Sequence, residues 1–380
     1  MIAGIDNLEA LPATDWPKVR DISIPLRRGA SGKLEADLQG AVCFASRPHA
    51  YRLCDTADAT LLDRAVQIVS AAQPSLDRKE RRFRLTCGHL SFRAQIGDNA
   101  DGMDLQLRVL PEETPSLGQL HLPAAWRAVM LDEGLINGGL VLLTAPSGQG
   151  KTTTASAMVR TRLEYFGGQA NTIEDPIELP LQRVWGTGGI CYQRPVNTLL
   201  DAEHPGDGYH RAMVEALRQF PAIAGGNTIL MVGEIRDART AAETLKAACN
   251  GHLVIATMHA KSAETAVRRI MTLATDTDDG MRSANVREML SESLRCVFNQ
   301  RLKWALDQEG WSAGRIDGDL LWSDGYDSEV AAAIRAGGVE SLLRITRAQT
   351  TAARATEDSA DEGGATGALR DAARAAADQK

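Results

Sequence analysis

Hydrophobic positions change their period along the chain. RRFRLTCGHLSFRAQIG, from Arg81 to Gly97, carries apolar and polar residues largely in alternation, and MDLQLRVLP repeats the pattern after the turn-rich GDNADG. Alternation places one side of each run on a core, so these segments predict half-buried strands joined by turns. Upstream, ATLLDRAVQIVSAAQ has apolar residues three and four apart, the spacing of an amphipathic helix. Residues 1–120 are therefore expected to form a small α+β domain.

Beyond residue 120 the texture changes. GLVLLTA, ANTIED, NTILMVGE and HLVIATMH are short, continuous apolar runs, and helical segments follow several of them, the first from Lys151 to about Tyr165. Strands of this kind are buried on both faces, which predicts an α/β core over 121–306 built on a mostly parallel sheet. SANVREMLSESLRCVFNQRLKWAL is expected to be one long amphipathic helix. After it, GRIDGDLLWSDGYDSEVAAAIRAGGVESLLRITRA predicts a strand and two helices, a small C-terminal helical extension over 307–350. Residues 351–380 are rich in Ala, Gly and Asp, with Leu369 as their one large apolar residue, and are expected to be a disordered tail or a frayed helix.

Composition narrows the function more than the fold. A chain of 380 residues has room for two or three domains with well-buried cores. Its formal net charge of −7 makes it a poor general binder of phosphate backbones, so nucleic acid is not an expected partner. The cysteines Cys43, Cys54, Cys87, Cys191, Cys249 and Cys296 include no CxxC pair, so buried free thiols are expected and a zinc knuckle is not. MIAGIDNLEALPATDW has no basic region leading into a long apolar stretch, and the longest apolar runs are strand-length. A cytoplasmic protein with no membrane span is the expectation.

The chemistry begins at TAPSGQGKTTTA. Ser147, Gly148, Gln149, Gly150, Lys151, Thr152 and Thr153 follow an apolar strand and open a helix, the context a phosphate-binding loop requires. Backbone N–H groups of such a loop, with the helix N-terminus, point at phosphate oxygens. Lys151 is expected to reach the β- and γ-phosphates of ATP, and the Thr152 hydroxyl to ligate Mg2+. Three further strands end in reactive groups: TIEDPIE in Glu174 and Asp175, with Glu178 after a proline, ILMVGEIRD in Glu234, and VIATMHA in His259. Open α/β sheets bind ligands at these strand ends. Each residue also has an ordinary reading, since such carboxylates cap helices and histidines donate structural hydrogen bonds. Together, beside the loop, they fit nucleotide hydrolysis: Glu234 to orient or deprotonate water, Glu174 and Asp175 to hold the metal or its water shell, and His259 to sense the γ-phosphate.

In order, APSGQGKTTT, TIEDPIE, LRQFP with ILMVGEIRD, and GHLVIATMHAKSA resemble the Walker A, Asp box, Walker B and His box of the secretion-superfamily ATPases. These serve type II secretion, type IV pili and conjugation, and the texture is closest to the PilT-like pilus retraction ATPases. LSESLRCVFNQRL resembles their long helix after the His box, and the match runs from about Phe92 to Leu302. The resemblance implies a RecA-like P-loop ATPase core with a smaller PAS-like N-terminal domain, ATP held between them, and a homohexamer. It also implies that Arg93 and Arg108 bring positive charge to the phosphates, and that force passes to an inner-membrane platform protein, with the chain peripheral to that membrane. Arg218 matches a motif arginine, while Val214 stands where a nearby family arginine would be.

Several positions depart from the family pattern: Ala145 for glycine, Ala260 for threonine, Phe220 before Pro221, and the inserted-looking AIAGGN. The tetracysteine zinc module of the assembly and type II branch is missing, which favours a PilT-like or conjugation-type motor. Besides a motor, the altered loop and His box admit an ATP-binding regulatory subunit with little turnover. A RecA-like DNA translocase shares the fold but runs against the acidic charge.

Overall fold

The computed structural model describes residues 8–9, 19–30, 33–44, 50–53, 59–78, 80–88, 90–196, 207–221, 226–275, 282–307, 310–355 and 365–377. By internal contacts the chain divides into a smaller unit, Met1–Glu113 with Pro176–Pro180 and Ala305–Ser312, and a larger unit, Thr114–Asp175, Leu181–Trp304 and Ala313–Lys380. The architecture is α/β, a core built on a mostly parallel sheet with a smaller α+β N-terminal unit.

In the smaller unit, β1 (Asp21–Arg28) pairs antiparallel with β2 (Leu34–Ala36), β3 (Val42–Phe44) and β7 (Gly102–Leu110). The sheet continues through β6 (Leu90–Asn99) to β5 (Arg82–Cys87) on one side, and through β3 to β4 (Ala50–Arg52) on the other. The alternation in sequence becomes a two-faced sheet. Ile22, Ile24, Phe92, Ala94, Leu105 and Leu107 turn inward and pack with Ala65, Ile68, Ala72 and Leu76 of helix α1 (Ala59–Asp77). The opposite side carries the arginines, and the register sets Arg84 opposite Arg93 and Arg93 opposite Arg108.

The larger unit is built on a sheet whose strand order interleaves distant segments. β10 (Val184–Trp185) and β11 (Gly189–Pro195) lie beside β9 (Gly168–Glu174), then come β12 (Thr228–Val232), β13 (Leu253–Met258), β8 (Gly139–Thr144), β14 (Leu294–Asp307) and β15 (Gly310–Trp322). The pairs from β11 to β14 are parallel, while β10 pairs antiparallel with β11. Every residue of β8 and β13 is buried, as continuous apolar runs demand when helices cover both faces. One face is covered by α4 (Asp207–Leu217), α5 (Ala238–Cys249), α6 (Ala263–Thr275) and α7 (Ser283–Ser293). The other meets α2 (Ala124–Met130) and α3 (Lys151–Phe166).

Two expectations are corrected. The long helix expected over 283–306 stops at Ser293, and LRCVFNQRL continues as β14, parallel to β8. Cys296, Val297 and Phe298 are consecutive and each fully buried, which a slot in a two-sided sheet accommodates and a helix with one wet face does not. The tail is ordered over Ala365–Ala377. There α10 packs on α9 (Val339–Ala355), burying Leu369 and Ala373, and Gln349 Nε2 donates to the Leu369 carbonyl at 3.2 Å. Helix α8 (Glu329–Ala336), capped by Ser328 and ended by Gly337 at φ 69°, completes the extension.

Candidate functional site

Strand register aligns the site. Met258 and Asn299 both pair with Thr144, and Val232 pairs with Ile173, so β8, β9, β12 and β13 end at nearly one level. Gly233 holds that level. Its N–H donates to the Ile173 carbonyl at 2.8 Å, and a Cβ there would stand 2.9 Å from that oxygen.

The loop after β8 turns through Gly148 and Gly150, at φ 74° and 77°, and α3 begins at Lys151 with no side-chain cap from Gly150. The first N–H groups of α3 are therefore available to an anion. Thr152 and Thr153 lie in its first turn. Behind the loop stands β14. Gln300 Nε2 donates to the Gln149 carbonyl, and Leu302 N–H donates to Gln149 Oε1 at 2.7 Å. Asn299 Nδ2 donates to Thr144 Oγ1 at 3.0 Å and to the Ala260 carbonyl at 3.1 Å. Ala260 thus joins the site through its backbone.

Lys151 is nearly buried, with Nζ 3.1 Å from the Ala145 carbonyl, 3.0 Å from that of Pro146 and 3.4 Å from His259 Nδ1. His259 Nε2 lies 3.3 Å from Glu234 Oε1. Nδ1 is also 3.2 Å from the Ala145 carbonyl. With the ring hydrogen on Nε2, Nε2–H donates to Glu234 and Nδ1 can accept from Lys151; with the hydrogen on Nδ1, that N–H can donate to the Ala145 carbonyl instead. Glu234 Oε2 stands 4.0 Å from Arg236 Nε, and Arg236 Nη2 donates to Asp175 Oδ2 at 3.3 Å. The contacts form a row, Asp175, Arg236, Glu234, His259, Lys151, in the order of the strands that carry them: β9, β12, β13, β8.

Glu174 lies beside this row and is turned toward its own edge of the sheet. It is 2% exposed, accepting from Thr172 Oγ1 at 2.6 Å and Gln193 Nε2 at 2.9 Å. Gln193 is fixed in turn by the N–H groups of Leu181 and Gln182. In the smaller unit, Arg93 Nη1 donates to Glu178 Oε1 at 2.9 Å, and Arg108 Nε to Asp21 Oδ1 at 2.8 Å. Arg218 follows the end of α4, its N–H on the Val214 carbonyl. Among the described residues no group of three or more His, Cys, Asp or Glu side chains is placed to hold a metal. None of their helices is long and apolar enough to cross a membrane.

Sequence reasoning passed over Arg236, Tyr209, Asn299 and the Gln300 side chain. Tyr209, on α4, is buried beneath Gly233. Burial pushes its phenol pKa up, Arg236 opposes the rise, and Asp175, Glu234 and Glu174 add to it. Asn299 and Gln300 had a signal, an amide pair inside the apolar run CVFNQRL, which marks where β14 passes the end of β8 and meets polar partners.

The sequence profile described as "Type II/IV secretion system protein" matches residues 62–366, most of the chain. Among curated proteins, Escherichia coli K12 "Uncharacterized protein YggR" is 31% identical over 240 residues, 60% of this chain and 66% of its own. The Pseudomonas aeruginosa "Type IV pilus retractation ATPase PilT" is 33% identical over 221 residues, 57% of this chain and 56% of its own. The chain thus spans between about half and two thirds of the length of the first curated relatives it matches, at 66%, 52% and 56%. A crystal structure of the pilus retraction motor PilT with bound ADP covers 92% of this chain and 93% of its own, with a TM-score of 0.61 and 23% identity. The ATPase DotB of Legionella pneumophila covers 90% and 84%, with a TM-score of 0.58 and 19% identity. At these identities the two structures speak for the fold. With the loop, the strand-end row and a profile match over most of its length, the chain belongs to the type II/IV secretion system protein family, close to its PilT-like members.

Proposed function

We propose that the chain is a Mg2+-dependent ATPase that works as a homohexameric motor of a type IV pilus, conjugative pilus or secretion machine. Its force passes to an inner-membrane platform protein, so that it acts from the cytoplasmic side. The observation that carries this reading is the contact series from Lys151 through His259 to Glu234 across the strand ends beside the phosphate loop. The residues fit a nucleotide: positive-φ glycines shape the loop, and open space lies where a Cβ at Gly148 would stand. Mg2+, when bound, supplies positive charge to the phosphate oxygens. The Thr152 hydroxyl would hold it, with Asp175 ordering its water shell, which suits an ion that keeps most of its waters, while Glu174, buried on Thr172 and Gln193, would have to turn from those partners to join it.

Lys151 pairs with the phosphates, Glu234 orients the attacking water and takes its proton, and His259 reports the state of the phosphate end to Glu234 through its Nε2–H. Arg93 and Arg108 are proposed to add charge to the same phosphates. Each now pairs with a carboxylate, Arg93 with Glu178 and Arg108 with Asp21, so that role requires them to exchange those partners for phosphate. The test is steady-state turnover of Mg-ATP by the full chain and by Glu234→Gln. A loss on the order of 10²- to 10⁴-fold is expected for removal of a general base. Equal rates would falsify the reading, and ATP binding without hydrolysis by the wild type would leave the regulatory-subunit alternative.

A further inference from the structure

Arg236 is the member of the strand-end row to which the proposed reaction gives no part. It lies two residues past Glu234, on the segment between β12 and the Asp237 cap of α5. Its guanidinium carbon sits 5.3 Å from the centroid of the Tyr209 ring, a cation resting on an aromatic face. Tyr209 is 2% exposed, and its hydroxyl lies 3.5 Å from where a Cβ on Gly233 would be, so the ring sits directly under the end of β12. From that seat the two arms of the fork diverge. Nη2 reaches Asp175 Oδ2 at 3.3 Å, and Nε faces Glu234 Oε2 at 4.0 Å. The other oxygen of Glu234 faces His259 Nε2 at 3.3 Å. Each oxygen of that carboxylate is therefore opposite a donor, one from the segment after β12 and one from the end of β13.

We propose that Arg236 is a positioning residue: seated on Tyr209, it fixes the Glu234 carboxylate and ties it to Asp175. The proposal rests on Glu234 being the group that orients the attacking water. Asp175 and Glu234 are two anions at adjacent strand ends, and Arg236 is the cation between them. Without its charge they repel, and Glu234 keeps only the His259 contact. Lysine would keep the charge but lacks the planar fork that lies on Tyr209 and aims separate N–H groups at the two carboxylates.

The test measures kcat and KM for Mg-ATP, and nucleotide affinity by direct binding, in the full chain. The proteins compared are wild type, Glu234→Gln, Arg236→Gln, Arg236→Lys and the Glu234→Gln/Arg236→Gln pair. Arg236→Gln should lower kcat on the order of 10- to 100-fold, the cost of an ångström-scale misplacement, while nucleotide affinity stays at the wild-type level. Arg236→Lys should recover part of the loss. The double variant should be no slower than Glu234→Gln, because a residue acting through Glu234 has nothing left to position once that carboxylate is gone. Wild-type kcat in Arg236→Gln overturns the proposal. So does a loss carried by nucleotide affinity, or a double variant slowed by the full Arg236→Gln factor. If Arg236→Gln does not fold, Tyr209→Leu removes the platform and keeps an apolar core side chain; it should show the same kcat-selective loss, and wild-type kcat there overturns the proposal. Wild-type turnover in Glu234→Gln removes the reading of Glu234 and this inference with it. An inactive Glu234→Gln beside a fully active Arg236→Gln removes this inference alone.

Discussion

Ala145 shows how little of a phosphate loop depends on the side chain where the strand is left. Its N–H extends the β8 ladder to the Met258 carbonyl at 3.4 Å, and its own carbonyl lies against Lys151 Nζ and His259 Nδ1 at 3.1 and 3.2 Å. Those contacts are made by backbone, so Ala145→Gly should leave ATP turnover within a few-fold of wild type, whereas Lys151→Ala should abolish it; a phosphate-release assay on both checks this. A large gain from the glycine would show that the methyl impairs the loop. At this scale the sequence exposed Lys151, Glu234 and His259, because each ends or follows an apolar run. It hid Arg236, whose contact depends on α4 carrying Tyr209 under the ends of β9 and β12, a matter of packing between segments far apart in sequence.

Among the elements, β14 and α10 depart most from what periodicity predicted. LRCVFNQRL has apolar residues that suit either period, and short apolar runs are where strand and helix are hardest to tell apart. What decides is the empty slot beside β8, which is visible only in three dimensions. For the tail only the disordered alternative fails, for another reason: its composition is poor in apolar residues, but one well-placed leucine suffices to dock a helix already rich in alanine. Leu369 is fully buried against the layer that holds Trp126 and Trp322. Leu369→Ala should therefore cost about 2–4 kcal/mol, within the usual range for a buried leucine, measured by denaturant unfolding. An unchanged midpoint would mean that α10 does not dock. The strands and helices of 121–275 were legible because parallel, two-sided burial writes continuous apolar runs into a sequence.

For the whole molecule, the domain order, the P-loop core and the family were readable in the chain, since the four boxes lie in one order over a limited span. Assembly was not, because an interface between copies leaves no periodic signature. If the motor reading holds, sedimentation or light scattering with Mg-ATP should find a six-fold particle, and a monomer throughout the accessible concentrations would count against it. The division into two units has its own consequence. The chain passes between them five times, at 113/114, 175/176, 180/181, 304/305 and 312/313. The units are laced rather than strung, and no single cut separates them. A fragment starting at Thr114 would carry Pro176–Pro180 and Ala305–Ser312 away from the sheet they cluster with, leaving Glu178 without Arg93.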